Sequence, residues 1–277
     1  MSSFSYGAPL LQARDINVAF GGRQVLKNLN LEVRDIVREG KITSQCVSLL
    51  APSGVGKTTL FRVLAGLFKP DSGEVLIADR KSGQPVPVQA GKVGVLAQAY
   101  PLFEHRTVQG NIALAGRLAG LTSGQANEKT ERLLIWFGLF NEQDKYAAQL
   151  SGGQRQRVAI CQQLIQAPMF LLLDEPFSGL DFLAKRAACE LIKEVASLDE
   201  LMTIVIVSHD IEAACSISDT VWLMGREKNA DGTFLPGAFI KDTISLAERG
   251  LAWRGDVSET AEFVQLMREI RAKFGEL

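Results

Sequence analysis

A glycine-rich turn ending in Gly56-Lys57-Thr58 is the clearest chemical feature of the sequence. The apolar run 46–50 precedes this turn, and residues 60–65 after it carry apolar side chains at helical spacing, so the pattern predicts a strand, a loop and a helix. In such a loop the backbone N–H groups point at phosphate oxygens, and the N-terminus of the helix adds a partial positive charge. We therefore expect Lys57 to reach the outer phosphates of a nucleotide and the hydroxyl of Thr58 to bind Mg²⁺.

The first position of this loop departs from the phosphate-binding pattern G-x-x-x-x-G-K-[ST], because it is Ala51. Alanine adds one methyl group, which fits if the residue has a negative φ and the ligand does not crowd it. The alternative interpretation is an ordinary glycine-rich turn between a strand and a helix. The rest of the chain has to supply a nucleotide site if the phosphate interpretation is to hold.

Two acids and a histidine follow predicted buried strands. Residues 169–173 form a continuous apolar run typical of a central parallel strand, and Asp174 and Glu175 come directly after it. Two carboxylates in such a place are costly without partners, so they predict a metal ion or a reacting group. His209 follows the apolar run 203–207 closely in the same way. The alternatives are an ion pair between Glu175 and a basic neighbour, and a core histidine at His209.

The predicted elements around these residues alternate between strands and helices. Residues 10–33 alternate apolar and polar side chains around a turn at Phe20, which predicts an antiparallel hairpin or meander with Phe20 either half-buried in the core or stacked on a base. Residues 34–44 and 81–91 are predicted loops, and residues 101–148 are interpreted as a helical insertion between two α/β halves. Further helices are predicted over 155–166, 183–198 and 256–274, and a hairpin around 229–232. The last helix either caps the core or contacts a partner.

The composition is that of an ordinary globular protein, with 277 residues of which 47% are hydrophobic and 22% charged. A formal net charge of −1 gives no global basic field that would point to nucleic acid or an anionic membrane surface as a partner, and local basic patches stay open as an alternative. The four cysteines lack C-x-x-C spacing, which favours buried free thiols over a disulfide or metal framework. No secretion signal is evident, and the apolar runs are far shorter than the ~18 residues that cross a bilayer. We expect any attachment to a membrane to depend on another chain.

The run LSGGQ at 150–154 joins these features into one pattern. It lies before the strand that ends in Asp174-Glu175, with the phosphate loop upstream and His209 downstream. By the order and spacing of these motifs, the chain resembles the ATP-binding cassette (ABC) subunits of membrane transporters from residue 10 to about residue 244. The resemblance implies an α/β fold with a P-loop NTPase (RecA-like) core, an antiparallel β subdomain and an inserted α-helical subdomain. It also implies an ATPase domain over 1–245, with the core in 1–98 and 155–245, the helical subdomain over about 99–154, and a helical tail over 246–277.

The resemblance assigns the nucleotide-binding residues. Those expected to bind ATP are Phe20, by stacking on adenine, and Ser53, Gly54, Val55, Gly56, Lys57, Thr58 and Thr59 of the phosphate loop. Those expected to reach the ATP of a second chain are Ser151, Gly152, Gly153 and Gln154 of the signature motif and Asp181 of the D-loop. The helical block separates the two predicted helix N-termini, so one chain cannot easily aim both at one phosphate. In the family two cassettes pair head to tail, and each signature motif closes the partner's site.

The catalytic residues follow from the same resemblance. The residues expected to bind Mg²⁺ are Thr58, Gln98 and Asp174. The residues expected to act in catalysis are Glu175 as general base, His209 as switch histidine and Gln98 of the Q-loop. These residue types suit phosphoryl transfer to water, which needs charge neutralisation, a fixed Mg²⁺ and a group that orients the water. The chain departs from the family at Ala97, where an aromatic residue is usual, and at 161–163, which read Cys-Gln-Gln in place of Ala-Arg-Ala. Because these departures leave the catalytic set intact, we expect activity.

The implied function is ATP binding and hydrolysis that powers solute translocation, with import favoured, through a separate transmembrane permease. The implied partners are that permease, a second ATP-binding subunit that is either identical or a close paralogue, and, through the permease, a substrate-binding protein; nucleic acid is not expected. The implied location is cytoplasmic, peripheral on the inner face of the cell membrane. Residues 100–108 and 174–177 look most like the nitrate, sulfonate and taurine importers.

Two rival functions stay open at this point. One is a non-transport ABC ATPase that acts on a soluble macromolecular complex, although such proteins usually carry two cassettes, a long coiled-coil insertion or basic extensions. This chain has one cassette and no basic run. The other is a nucleotide-binding scaffold without hydrolysis, which would need Glu175 or His209 to be lost, and both are present.

Overall fold

The computed structural model describes residues 4–38, 45–80, 82–97, 100–166, 168–198, 202–255 and 257–277, which form an α/β fold. The described strands are β1 (Phe4–Phe20), β2 (Arg23–Arg38), β3 (Gln45–Leu50), β4 (Ser72–Ala78), β5 (Pro85–Pro87), β6 (Gly94–Leu96), β7 (Phe170–Asp174), β8 (Thr203–Ser208), β9 (Thr220–Lys228) and β10 (Phe234–Ser245). They form one sheet in the order β5-β4-β1-β2-β10-β9-β3-β8-β7-β6.

One half of the sheet is antiparallel and contains the predicted hairpin. β1 pairs with β2 up to Phe20 and Arg23, and the turn residues Gly21 and Gly22 have φ values of 56° and 78°. Two consecutive positive φ angles are what a tight hairpin turn needs, and glycine adopts them without steric cost. The hairpin is longer than predicted, because β2 continues to Arg38 where the sequence predicted a loop from residue 34. The extension of β1 to Phe4 supplies its partner, and residues 39–44 lie outside the described residues.

The predicted loop over 81–91 contains a short strand. Residues of β5 pair with β4, with Pro87 opposite Leu76 and Pro85 opposite Ala78. Proline has no N–H to donate to a ladder, and this strand lies at the edge of the sheet where fewer donors are needed. The proline-rich composition therefore concealed an edge strand.

The other half of the sheet is parallel and confirms the predicted buried strands. β9, β3, β8, β7 and β6 run in the same direction, and every residue of β3 and β8 is buried. Leu50 pairs with Ser208, and Asp174 pairs with Val207. The carboxyl ends of these strands therefore meet at one edge, where the residues that follow them can converge.

The described helices are α1 (Lys57–Leu64), α2 (Val108–Leu118), α3 (Ser123–Trp136), α4 (Gly152–Leu164), α5 (Phe182–Ala196), α6 (Ile211–Ile217) and α7 (Ala261–Phe274). Side chains of the parallel strands alternate between two apolar clusters, with Leu171 in one and Leu172 in the other. The cluster around Leu172 includes residues of α1 and of the antiparallel strands. The other includes residues of the remaining helices, so the sheet is covered on both faces.

The tail helix α7 caps the core. Its residues Phe263, Leu266 and Ile270 are buried in the same apolar cluster as residues of α5 and α6. The tail ends against β9, where the N–H of Arg226 donates to the carbonyl oxygen of Leu277 at 3.1 Å. The division of the chain into a core, a helical subdomain and a tail at the limits given above stays a prediction.

Two further expectations concern the cysteines and the membrane. Cys46, Cys161, Cys189 and Cys215 are all buried and free, as predicted. Among the helices of the described segments, none combines the length and the apolar character needed to cross a membrane.

Candidate active site

The phosphate loop leads from β3 into α1. Ala51 is fully buried and does not have a positive φ, so it meets the backbone condition for replacing the first glycine. Gly54 and Gly56 do have positive φ values, 76° and 118°. No side chain caps the start of α1, and its first turn contains no acid. The positive end of this helix dipole is therefore open to an anion.

Lys57 is folded back over the loop that precedes it. Its Nζ donates to the carbonyl oxygen of Ala51 at 2.8 Å and to that of Pro52 at 3.3 Å. The same Nζ lies 3.5 Å from Oε1 of Glu175, and both side chains are largely buried. The lysine is therefore held between the phosphate loop and the carboxyl end of β7.

Glu175 joins this lysine to the histidine at the end of β8. Its Oε2 lies 2.8 Å from Nδ1 of His209 and accepts from the backbone N–H of the same residue at 3.3 Å and from the Ser208 hydroxyl at 3.4 Å. The φ of Glu175 is 50°, in the left-handed region that residues with a side chain rarely adopt. Backbone strain of this kind is typical of functional sites. The ion pair between Glu175 and a basic neighbour exists, and the catalytic role of Glu175 stays a prediction beside it. His209 is exposed, so it is not a core histidine.

Asp174 lies beside this cluster with its side chain partly buried. Burial raises the pKa of its carboxyl, and the charge of Glu175 raises it further, while Lys57 and Arg62 act in the opposite direction. The repulsion between the Asp174 and Glu175 carboxylates is relieved when a cation binds beside them. Thr58 is exposed in the first turn of α1, and its hydroxyl and the Asp174 carboxylate fit the oxygen ligands that Mg²⁺ prefers.

The signature motif and the D-loop each begin a helix. Ser151 is the N-cap of α4: its hydroxyl accepts from the N–H of Gln154 at 3.3 Å, and Oε1 of Gln154 accepts from the N–H of Ser151 at 3.0 Å. Gly152 and Gly153 are exposed, with open space where a side chain would be. Asp181 is the N-cap of α5 and accepts from the N–H of Ala184 at 2.8 Å.

These two helix starts do not join the first cluster within one chain. In the described part of the chain, no hydrogen bond or ion pair links Ser151 or Asp181 to Lys57, Glu175 or His209. α4 packs beside β6, which neighbours β7 and is three strands away from β3. That one chain cannot close the site by itself stays a prediction.

The remaining predicted nucleotide residues occupy the surface near the loop. Phe20 is 49% exposed at the hairpin turn, and its ring centroid lies 5.4 Å from that of Phe68, which fits the half-buried alternative for this residue. Its stacking on adenine stays a prediction. Ser53 is exposed, Val55 is buried and Thr59 is intermediate. Gln98 lies outside the described residues.

One residue that donates a hydrogen bond to the phosphate loop was not predicted from the sequence. Nη2 of Arg226, on β9, donates to the carbonyl oxygen of Gly54 at 2.5 Å. The two residues are 172 positions apart. An arginine at the end of a strand carries no signal that would single it out before the fold is known.

Comparison with known proteins identifies the sequence family. The sequence profile described as ABC transporter matches residues 37–178, just over half of the chain. The sulfate/thiosulfate import ATP-binding protein CysA of Synechococcus elongatus is 37% identical over 219 residues, which cover 79% of this chain and 60% of that protein. The spermidine/putrescine import ATP-binding protein PotA of Thermotoga maritima is 39% identical over 215 residues, covering 77% and 55%. The Fe(3+) ions import ATP-binding protein FbpC of Escherichia coli O157:H7 is 33% identical over 216 residues, covering 78% and 59%.

A solved structure shows the same fold. The cbiO1 protein of Clostridium perfringens, described as part of the ABC transporter complex cbiONQ, superposes with a TM-score of 0.70 at 24% identity, covering 88% of this chain and 91% of that one. The chain spans 55 to 60% of the length of the three relatives named above.

Proposed function

Because the chain belongs to the ABC transporter family, we propose that it is an ATP-binding and ATP-hydrolysing subunit that powers solute import through a separate permease. The proposed hydrolysis of ATP rests on the convergence of Lys57, Glu175 and His209 at one edge of the sheet. ATP is the substrate, and the chemistry is transfer of its terminal phosphoryl group to water.

The three side chains match the needs of that reaction. Lys57 supplies positive charge next to the open N-terminus of α1, where the phosphates would lie. Glu175 is the base that orients the water and takes up its proton, and the Lys57 and His209 contacts fix its two oxygens. When both ring nitrogens carry a proton, His209 donates from Nδ1 to Glu175 and can donate from Nε2 to an oxygen of the transferred phosphoryl group. The side chain of His209 is 55% exposed, which leaves that nitrogen accessible.

Mg²⁺ would be held by Thr58 and Asp174, with Gln98 as the third proposed ligand. Within the described segments, no group of three or more His, Cys, Asp or Glu side chains could hold a metal ion. A magnesium ion that takes one carboxylate and one hydroxyl from the protein and the rest from phosphate and water is the usual arrangement at nucleotide sites. When bound, the ion neutralises charge on the phosphates and fixes their position.

A second cassette would complete the site. Ser151, Gly152, Gly153, Gln154 and Asp181 lie at exposed helix starts apart from the lysine cluster, so they would serve the ATP bound by the facing chain. Exposed Phe182 and Leu183, each 75% accessible directly after Asp181, supply apolar surface for such a contact. ATP between two chains would hold them together, and hydrolysis would release them.

The other partners are proposed from the family and its named relatives. The transmembrane permease would hold the pair on the inner face of the cell membrane, and a substrate-binding protein would act through the permease. The three named relatives import sulfate or thiosulfate, spermidine or putrescine, and Fe(3+). The resemblance to the nitrate, sulfonate and taurine group stays a prediction, because an ATP-binding subunit touches the permease and not the solute.

Two experiments test the proposal. Purified protein is assayed for phosphate release with Mg-ATP as wild type, as Glu175→Gln and as the control Glu227→Gln, which removes an exposed acid from β9. We expect Glu175→Gln to lose at least about 100-fold in kcat and the control to match wild type. The tagged chain is also recovered from gently solubilised membranes, where we expect a multi-spanning permease to co-purify. Unchanged hydrolysis in Glu175→Gln would refute the base assignment, and recovery with soluble complexes alone would refute the transport function.

A further inference from the structure

We propose that Arg226 is a positioning residue for the phosphate loop, acting through the peptide between Gly54 and Val55. Its guanidinium donates from Nη2 to the Gly54 carbonyl oxygen at 2.5 Å, a short charge-assisted hydrogen bond. This inference rests on the proposed function, since it concerns how the loop presents donors to a nucleotide.

Peptide geometry explains why holding a carbonyl matters. The C=O of Gly54 and the N–H of Val55 belong to one planar trans peptide and therefore point in opposite directions. Gly54 has a φ of 76° and no side chain, and no atom lies within 4 Å of where a Cβ would be, so no side-chain packing at residue 54 fixes the orientation of this peptide. With the oxygen held by Arg226, the N–H of Val55 is directed away from the Arg226 guanidinium. In the proposal, this is the side of the loop that would receive the phosphates.

The neighbouring residues complete the restraint. The Val55 side chain is 6% exposed and packs in the apolar cluster that also includes α1, so residue 55 is held on its other side. Arg226 itself is held at its backbone, where its N–H donates to the carbonyl oxygen of Leu277 at 3.1 Å. A Cβ added at Gly225 would lie 2.9 Å from the backbone of Leu277, which shows how closely the tail fits this strand. The tail therefore supports the strand that holds the loop.

The test separates positioning from simple stabilisation. Wild type, Arg226→Ala, Arg226→Lys and the control Lys228→Ala are compared for Mg-ADP affinity, for KM and kcat of ATP hydrolysis, and for Tm. Lys228 lies two residues further along the same strand, where it contacts the ring of Phe234. Lys228→Ala removes one positive charge, as Arg226→Ala does, and is therefore a control for the change in charge. Hydrogen exchange of the peptide that covers residues 51–56 reports the loop directly.

We expect Arg226→Ala to bind Mg-ADP about tenfold more weakly, with KM raised to a similar extent and kcat at saturation nearly unchanged. Exchange within 51–56 becomes faster, Arg226→Lys recovers part of the affinity, and Lys228→Ala behaves as wild type. Wild-type affinity and exchange in Arg226→Ala would overturn the inference, as would an equal loss in Lys228→Ala. Failure of the wild-type protein to bind nucleotide would instead overturn the proposed function, and this inference with it.

Discussion

Alanine substitution at Gly56 is expected to damage the phosphate loop more than the same change at Gly54. Gly56 has a φ of 118°, and an added Cβ would lie 2.9 Å from Cγ1 of Val25 and 3.4 Å from Cδ2 of Leu26. Gly54 has a φ of 76° and no atom within 4 Å of an added Cβ. Gly54 therefore tests the left-handed backbone alone, whereas Gly56 combines greater backbone strain with a steric contact.

The expected magnitudes follow from these geometries. At Gly54 only the left-handed backbone opposes a side chain, which costs about 1 kcal/mol of unfolding free energy. At Gly56 the φ lies further from the allowed left-handed region, which costs about 2 kcal/mol of unfolding free energy. The contact with β-branched Val25 costs about 1 kcal/mol more. We therefore expect Gly56→Ala to lose about 3 kcal/mol in total.

Urea unfolding of the two variants and wild type measures this difference. The midpoint should fall clearly for Gly56→Ala and only slightly for Gly54→Ala, with unchanged slopes. Equal stabilities for the two variants, or a Gly56→Ala protein as stable as wild type, would refute the strain argument. Gly124→Ala is a useful control, because that glycine lies in α3 with open space around it and no positive φ.

Three further predictions concern single side chains. Burial raises the pKa of Asp219 to about 7 from its ordinary 3.8, so the folded state retains the proton and stability falls as pH rises through that interval. The Tm of Asp219→Asn, measured relative to that of wild type, should therefore rise between about pH 5 and about pH 8. Hydrogen bonds from Arg249 and Lys273 lower the pKa of Glu269 to about 2, so the stabilisation from these contacts is present above the ordinary value of 4.5 and is lost as pH falls toward 2. Glu269→Gln should cost under about 1 kcal/mol of unfolding free energy near pH 7, because the ion pairs are partly exposed, and nothing in acid. Thermal unfolding at several pH values measures this difference. His209→Ala should lower kcat at least about 100-fold in a phosphate-release assay while nucleotide affinity stays within about threefold.

Much of the parallel half of the sheet could be predicted from the sequence. The runs 46–50, 169–173 and 203–207 are apolar because both faces of these strands are covered, and the structure buries them as β3, β7 and β8. The edge strand at Pro85–Pro87 could not be predicted in this way, because prolines and polar residues on an exposed edge give a loop-like composition.

The candidate site divides along similar lines. Lys57, Glu175 and His209 were predictable because each follows a recognisable strand, and parallel strands bring their carboxyl ends to one edge. The hydrogen bond from Arg226 to Gly54 was not predictable, because it joins residues 172 positions apart and depends on the course of β9 and on the tail against it. Long-range contacts of single polar side chains leave no periodic pattern in a sequence.

ATP-dependent pairing of the chain is the most direct test of the proposed two-chain site. The molar mass of Glu175→Gln is measured by light scattering with and without Mg-ATP, next to a Glu175→Gln/Ser151→Arg double variant that blocks the exposed start of α4. We expect the mass to double with Mg-ATP for the single variant and to stay monomeric for the double variant, which still binds nucleotide. A single variant that binds Mg-ATP but stays monomeric, or a double variant that pairs equally well, would contradict a site built from two chains.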